Sequence, residues 1–84
     1  MTVSRLQLIS REDCPLCEEM HSELAPWVSE QQAVLTQLDV DADPVLKRRY
    51  GYRVPVLLID GEPACYTRLD WDEIRRLWAM PSHS

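Results

Sequence analysis

The chain has 84 residues, 45% of them hydrophobic, with 9 Lys+Arg against 14 Asp+Glu and a formal net charge of −5. This is the length of one domain, 1–84, and too much apolar residue for a disordered segment. The acidic balance excludes nucleic acid and anionic membrane as partners, because both demand Lys/Arg surfaces, and no apolar run approaches the ~20 residues needed to span a bilayer.

The first predicted element is a strand over Val3–Ser10. Leu6 and Leu8 fall on one face at period 2, and Ile9 covers the other. After a loop at Arg11–Asp13, a helix starts near Cys14 with Pro15 at its first position, where a missing N–H costs nothing. Its apolar stripe is Leu16, Met20, Leu24, Trp27 and Val28, at helical spacing. Pro26 lies inside that stripe and removes the bond to the Ser22 carbonyl, which predicts a kink or early break around Leu24–Ala25.

A second strand is expected over Val34–Val40, then a polar turn at Asp41–Asp43. Asp43 caps a short helix that has Pro44 at its first position and Gly51 past its end. The third strand is Pro55–Asp60, whose Val56–Ile59 run predicts burial on both faces. Asp60-Gly61 is a tight-hairpin signal, and Pro63 marks the fourth strand, Pro63–Thr67, as an edge. The last helix begins at Asp70. Asp70 with Glu73 reads as a capping box, Leu69 with Ile74 as a hydrophobic staple, and Pro81 as the stop. The order β-α-β-α-β-β-α gives an α/β fold: one four-stranded mixed sheet flanked by three helices, built from a parallel βαβ unit and an antiparallel hairpin plus helix.

Three cysteines are present: Cys14, Cys17 and Cys65. The first ten residues, MTVSRLQLIS, do not read as a secretion signal, since Arg5 and Gln7 interrupt any apolar region. The expected location is therefore the cytoplasm. There, an odd number of cysteines is a poor disulfide framework, and the thiols are reactive or metal-binding.

Cys14-Pro15-Leu16-Cys17 is the informative segment. Two cysteines three apart at a helix start can close a disulfide within one turn. A thiolate there faces unsatisfied N–H groups and the positive end of the helix dipole, which lower a thiol pKa from about 8.5. The first cysteine should be exposed and the second partly covered, as an attacking and a resolving thiol require. The spacing also serves zinc, for which the further candidate ligands are His21, Cys65 and His83. His21 follows Cys17 by four residues and can share its helix face, but reads first as a solvated residue on an acidic face. Position favours redox chemistry, since the pair directly follows the first strand of a βαβ unit. Cys65 reads as a half-buried inert thiol, with glutathionylation or dimerisation as the alternative. The three tryptophans, Trp27, Trp71 and Trp78, read as packing residues.

At these residues the chain resembles the glutaredoxin branch of the thioredoxin superfamily, over nearly its whole length. The resemblance rests on Cys14-Pro15-Leu16-Cys17, on Arg53-Val54-Pro55 before the third strand, and on the Asp60-Gly61 hairpin. Cys17-Glu18 and Val54-Pro55-Val56 match the small bacterial glutaredoxin-like proteins that carry Cys-x-Leu-Cys-Glu and a later Val-Pro-Val. The resemblance implies a cis Pro55 lying against the active-site disulfide and a Val54 backbone that pairs with a bound thiol peptide. It also implies thiol–disulfide oxidoreductase activity in cell redox homeostasis, with Cys14 and Cys17 catalytic.

Protein or glutathione disulfides are the implied partners of a monomer that holds no bound cofactor and no metal. Glutathione is a candidate co-substrate, with Arg11, Pro15, Arg53, Val54, Pro55 and Asp70 as candidate binding residues. The Gly-Gly pair of many glutaredoxins is absent, and Tyr66-Thr67-Arg68-Leu69 occupies its place. Two readings stay open beside this one. One is metal or iron–sulfur binding through Cys14 and Cys17; the other is a non-catalytic interaction module. Around the cysteines, Glu12, Asp13, Glu18 and Glu19 disfavour a thiolate, while Arg11, Arg53 and the helix dipole favour it, so the expected Cys14 pKa is moderately lowered.

Overall fold

The computed structural model describes residues 5–79. In chain order the elements are β1 (Leu6–Ser10), α1 (Pro15–Glu30), β2 (Leu35–Asp39), a single 3-10 turn (Val40–Ala42), α2 (Pro44–Tyr50), β3 (Val56–Ile59), β4 (Glu62–Tyr66) and α3 (Trp71–Ala79). The predicted order is observed; β1 starts at Leu6, β2 and β3 each lose one residue at both ends, and β4 lies one residue earlier than expected, Glu62–Tyr66 against Pro63–Thr67. Val3, Ser4 and the expected stop at Pro81 lie outside the described residues.

The four strands form one mixed sheet in the order β2-β1-β3-β4. The β1–β2 pair is parallel, with Ser10 opposite Asp39, while β1–β3 and β3–β4 are antiparallel. All four residues of β3 are buried, which explains their unbroken apolar run. β4 is an edge, as Pro63 requires, and its pairing with β3 is irregular between Leu57 and Leu58. The hairpin between them turns at Asp60 and Gly61, both at positive φ (52° and 85°), which is the twist a two-residue connection needs. Asp60 also ties down the entry to β1. Its carboxylate accepts from the Arg5 N–H at 2.7 Å, and its own N–H donates to the Arg5 carbonyl at 2.8 Å.

Period-2 alternation divides the core between the two faces of the sheet. Leu6, Leu8, Leu57 and Ile59 pack with Met20, Leu24 and Val28 of α1 and with Ile74 and Leu77 of α3. Ile9, Val56 and Leu58 pack on the other face with Val40 and Tyr50, the last residue of α2. Trp27 touches Trp71 and Trp78 edge-on, with centroids 5.7 and 5.1 Å apart. The trio covers the outer margin of the α1/α3 layer, the packing role expected from its spacing.

Of the kink or early break expected at Pro26, the break does not occur: α1 runs through it to Glu30. Pro26 and Ser22 are both exposed, so the missing bond falls on the outer side of the helix, where water can satisfy the Ser22 carbonyl. Leu24 and Val28, buried on either side of Pro26, hold the helix on the sheet across the gap. At α2, the Asp43 carboxylate accepts from the N–H groups of Val45 and Leu46 at 2.8 and 3.3 Å. Gly51 caps the other end with ordinary right-handed geometry, φ −55°. Its glycine is a matter of space, since a Cβ there would lie 2.5 Å from the Lys47 carbonyl oxygen. At α3 half of the expected capping box forms. Asp70 accepts from the Glu73 N–H at 3.2 Å, but the Glu73 carboxylate turns to the Arg76 guanidinium at 2.7 and 2.8 Å.

Candidate active site

Cys14 is the N-cap of α1. Its backbone is extended, Pro15 opens the first turn, and its Sγ accepts a hydrogen bond from the Cys17 N–H at 3.2 Å. The sulfur thus occupies the place a serine or aspartate oxygen takes at an ordinary helix start, and it receives one of the orphan N–H groups. Cys14 and Cys17 are joined as a disulfide, with Cα atoms 5.2 Å apart. The order of exposure is the expected one, but both cysteines lie deeper than expected: Cys14 is half-buried rather than exposed, and Cys17 is only 3% exposed rather than partly covered. Leu16, between them in sequence, is 46% exposed and lines a separate cavity with Met20 and Trp71.

A cavity of about 570 Å³ opens on the two cysteines. Its walls come from the β1–α1 segment (Arg11, Glu12, Asp13), from α1 (Glu18, His21, Ser22) and from the C-terminal half of β2 (Gln37, Leu38, Asp39). The β2 wall follows from the parallel pairing, which sets Asp39 beside Ser10 at the cysteine end of the sheet. Long-range register of this kind leaves no mark in a single sequence, so the β2 residues were not foreseen there. His21, expected as a solvated residue on an acidic face, is half-buried and lines this cavity with Glu18.

Of the site residues expected from the sequence, the structure gathers Arg11, Cys14 and Cys17 in this cavity. Arg11 lies in a two-pronged contact with Asp41, Nε to Oδ2 at 2.8 Å and Nη2 to Oδ1 at 3.1 Å. The Lys47 ammonium approaches the same carboxylate at 3.7 Å. The hydrogen bond from Arg11, seconded by the charges of Arg11 and Lys47, holds the Asp41 carboxyl below the usual carboxylate range; the Arg11 pKa is raised in return. Arg53 sits over the Tyr66 ring, 5.2 Å from its centroid. Both cations expected to favour a Cys14 thiolate are therefore engaged by other partners, and the direct contact at the sulfur is the helix N–H.

The Val54–Pro55 bond is cis, the form that the resemblance implies. The Pro55 carbonyl accepts from the Thr67 N–H at 2.7 Å, which ties the start of β3 to the segment after β4. Among the described residues no group hydrogen-bonds the Val54 N–H or C=O. Pro15 is exposed at the helix tip, and Asp70 is occupied as the α3 cap while lining a separate cavity of about 610 Å³ with Cys65. Cys65 is buried rather than half-buried, and burial pushes its thiol pKa up, the direction that disfavours a thiolate. Among the described residues no group of three or more His, Cys, Asp or Glu side chains is placed to hold a metal ion. No helix among them is long and apolar enough to cross a membrane.

The glutaredoxin-like domain family (DUF836) matches residues 5–78. An uncharacterized protein of Mycobacterium tuberculosis is 30% identical over 80 residues, covering 89% of this chain and 82% of its own length. A protein of Nitrosomonas europaea solved by NMR is 32% identical with a TM-score of 0.80, over 90% of this chain and 92% of that one. A thioredoxin variant from Halobacterium salinarum is 29% identical with a TM-score of 0.56, over 88% of this chain and 70% of that one. Family match, strand order and an N-capping cysteine pair agree, and the chain belongs to the glutaredoxin-like domain family, on a thioredoxin-like fold.

Proposed function

We propose that the protein is a thiol–disulfide oxidoreductase in which Cys14 attacks and Cys17 resolves. The observation that carries this reading is the Cys14 Sγ at the tip of a 16-residue helix, accepting the Cys17 N–H at 3.2 Å and opening on a cavity. A thiolate formed there is stabilised by that N–H and by the helix dipole. It attacks a substrate disulfide, forms a mixed disulfide and releases one substrate thiolate. Cys17, one turn deeper, then attacks Cys14 Sγ, closes the Cys14–Cys17 bond and releases the second thiolate. Two electrons pass from the dithiol to the substrate, and an external thiol must reduce the pair for the next turnover.

The site acts on protein or glutathione disulfides, in the cytoplasm and as a monomer, with glutathione as the reducing co-substrate. The likeness to a thioredoxin supports the chemistry, and the unpartnered Val54 backbone is free to pair with an extended peptide. A glutathione carboxylate would compete with Asp41 for Arg11. The test is disulfide reduction coupled first to glutathione and its reductase, then to thioredoxin reductase. Activity is expected with at least one system, and Cys17→Ser should trap a mixed disulfide on Cys14. A trapped adduct on Cys17 or Cys65, or full activity in Cys14→Ser, would show that the nucleophile is misassigned.

A further inference from the structure

The resolving step needs a proton acceptor. Cys17 can attack only as a thiolate, yet it is 3% exposed, and burial holds a thiol in its protonated form. Nothing beneath it can take the proton, because the described residues include no buried polar or charged side chain. The acceptor must come from the cavity that opens on the pair. His21 is the one imidazole among the described residues, and it lines that cavity together with Cys17. It lies four residues further along α1, so the two side chains share a helix face with Cβ atoms about 5–6 Å apart. A long side chain on a helix leans toward the N-terminus, which at His21 is the direction of Cys17. No hydrogen bond joins His21 to Cys17 in the disulfide state, so a single water or a turn of the ring must bridge them.

Resting on the oxidoreductase reading above, we infer that His21 accepts the Cys17 proton during resolution of the mixed disulfide. The balance is closed. The Cys17 S–H bond breaks as its proton passes to a His21 ring nitrogen, and the thiolate attacks Cys14 Sγ. The Cys14–Cys17 bond forms, the bond from Cys14 to substrate breaks, and the departing substrate thiolate takes up the proton that His21 holds. Other charged groups facing the cavity are Glu18 on the same helix, Arg11, Glu12 and Asp13 before it, and Asp39 on β2. Glu18 follows Cys17 directly and points about 100° away around the helix, which makes it the poorer acceptor. Arg11 carries its proton throughout and cannot accept another, so substitution of His21 separates the imidazole from the carboxylates.

The test uses the reduced full chain and a substoichiometric chromogenic aromatic disulfide, dithiobis-nitrobenzoate, followed by stopped flow. Attack by Cys14 releases one coloured thiolate at a rate proportional to reagent; resolution by Cys17 releases the second at a rate independent of it. In His21→Gln the second release should slow about 100-fold at pH 7, while the first stays within about twofold. The second release of the variant should rise only where a thiol titrates, about pH 8–9, whereas that of the wild type should rise at lower pH. Free imidazole should restore the second release in His21→Ala. His21→Asn carries the same test should the glutamine variant unfold. An unchanged second release with an unchanged pH profile overturns the inference and leaves the oxidoreductase reading standing. A wild-type protein that releases only one thiolate overturns that reading, and the inference with it.

Discussion

At Cys14 the local chemistry is that of a helix cap made by sulfur. The cap accepts the Cys17 N–H, and Cys17 itself is covered, so the two thiols of the reduced protein should differ in both exposure and acidity. Alkylation of reduced protein at pH 7 should label Cys14 at least about tenfold faster than Cys17, since each unit of pKa depression is tenfold in thiolate. Peptide mapping after a short pulse measures this, and equal labelling would sink the assignment. Asp41 supports a second prediction. Its carboxyl is depressed by the hydrogen bond from Arg11, so in the folded state it stays ionised to lower pH than in the unfolded chain. The stability it contributes is present above the ordinary carboxylate range and is lost as pH falls through the depressed value. Asp41→Asn should therefore lower the urea midpoint at pH 7, and the gap to wild type should close below about pH 4. A gap that does not vary with pH would mean the pair is electrostatically idle.

Elements of this fold are built against two local rules, and each departure is testable. α1 carries Pro26 in its interior because the missing bond falls on the exposed side. Pro26→Ala should restore an N–H to the Ser22 carbonyl and stabilise the fold by about 1–3 kcal/mol, seen as a higher urea midpoint. No gain would mean that the stiffer unfolded chain of the wild type offsets the lost bond. α2 closes on Gly51 in a right-handed conformation that any residue can adopt, so backbone freedom is not the reason for glycine there. A Cβ would meet the Lys47 carbonyl oxygen at 2.5 Å. Gly51→Ala should cost about 1–3 kcal/mol by overpacking, on the same denaturation measurement.

On the scale of the whole molecule, the sheet separates two apolar layers that share its central strands. Ile9 belongs to the α2 face, whereas all three tryptophans lie with the α1/α3 face. If the described residues unfold as one cooperative unit, damage to one layer must be felt in the other. Ile9→Ala should cost about 2–5 kcal/mol and shift the tryptophan-fluorescence and far-UV transitions together. A far-UV transition that moves while fluorescence stays would divide the domain into two units.

The sequence by itself determined the elements, their order and the cysteine pair. These depend on near-neighbour physics: period-2 alternation in β1, the unbroken apolar run of β3, Pro15 and Pro44 at helix starts, and Asp60-Gly61 at a turn that requires positive φ. It pointed to a Cys14 more accessible than Cys17 for the same reason, because the first turn of a helix has a fixed geometry. Tertiary structure decided what lies around them. The parallel β1–β2 register brings Asp39 to the cysteine end of the sheet, and an ion pair spanning thirty residues holds Arg11 on Asp41. It carried α1 through Pro26, since packing of Leu24 and Val28 on the sheet outweighs one lost hydrogen bond. It also turned His21 into a cavity wall and sank Cys65 into the core. Each of these contacts joins residues distant in the chain or sets burial against local preference, and such contacts exist only once the sheet is assembled.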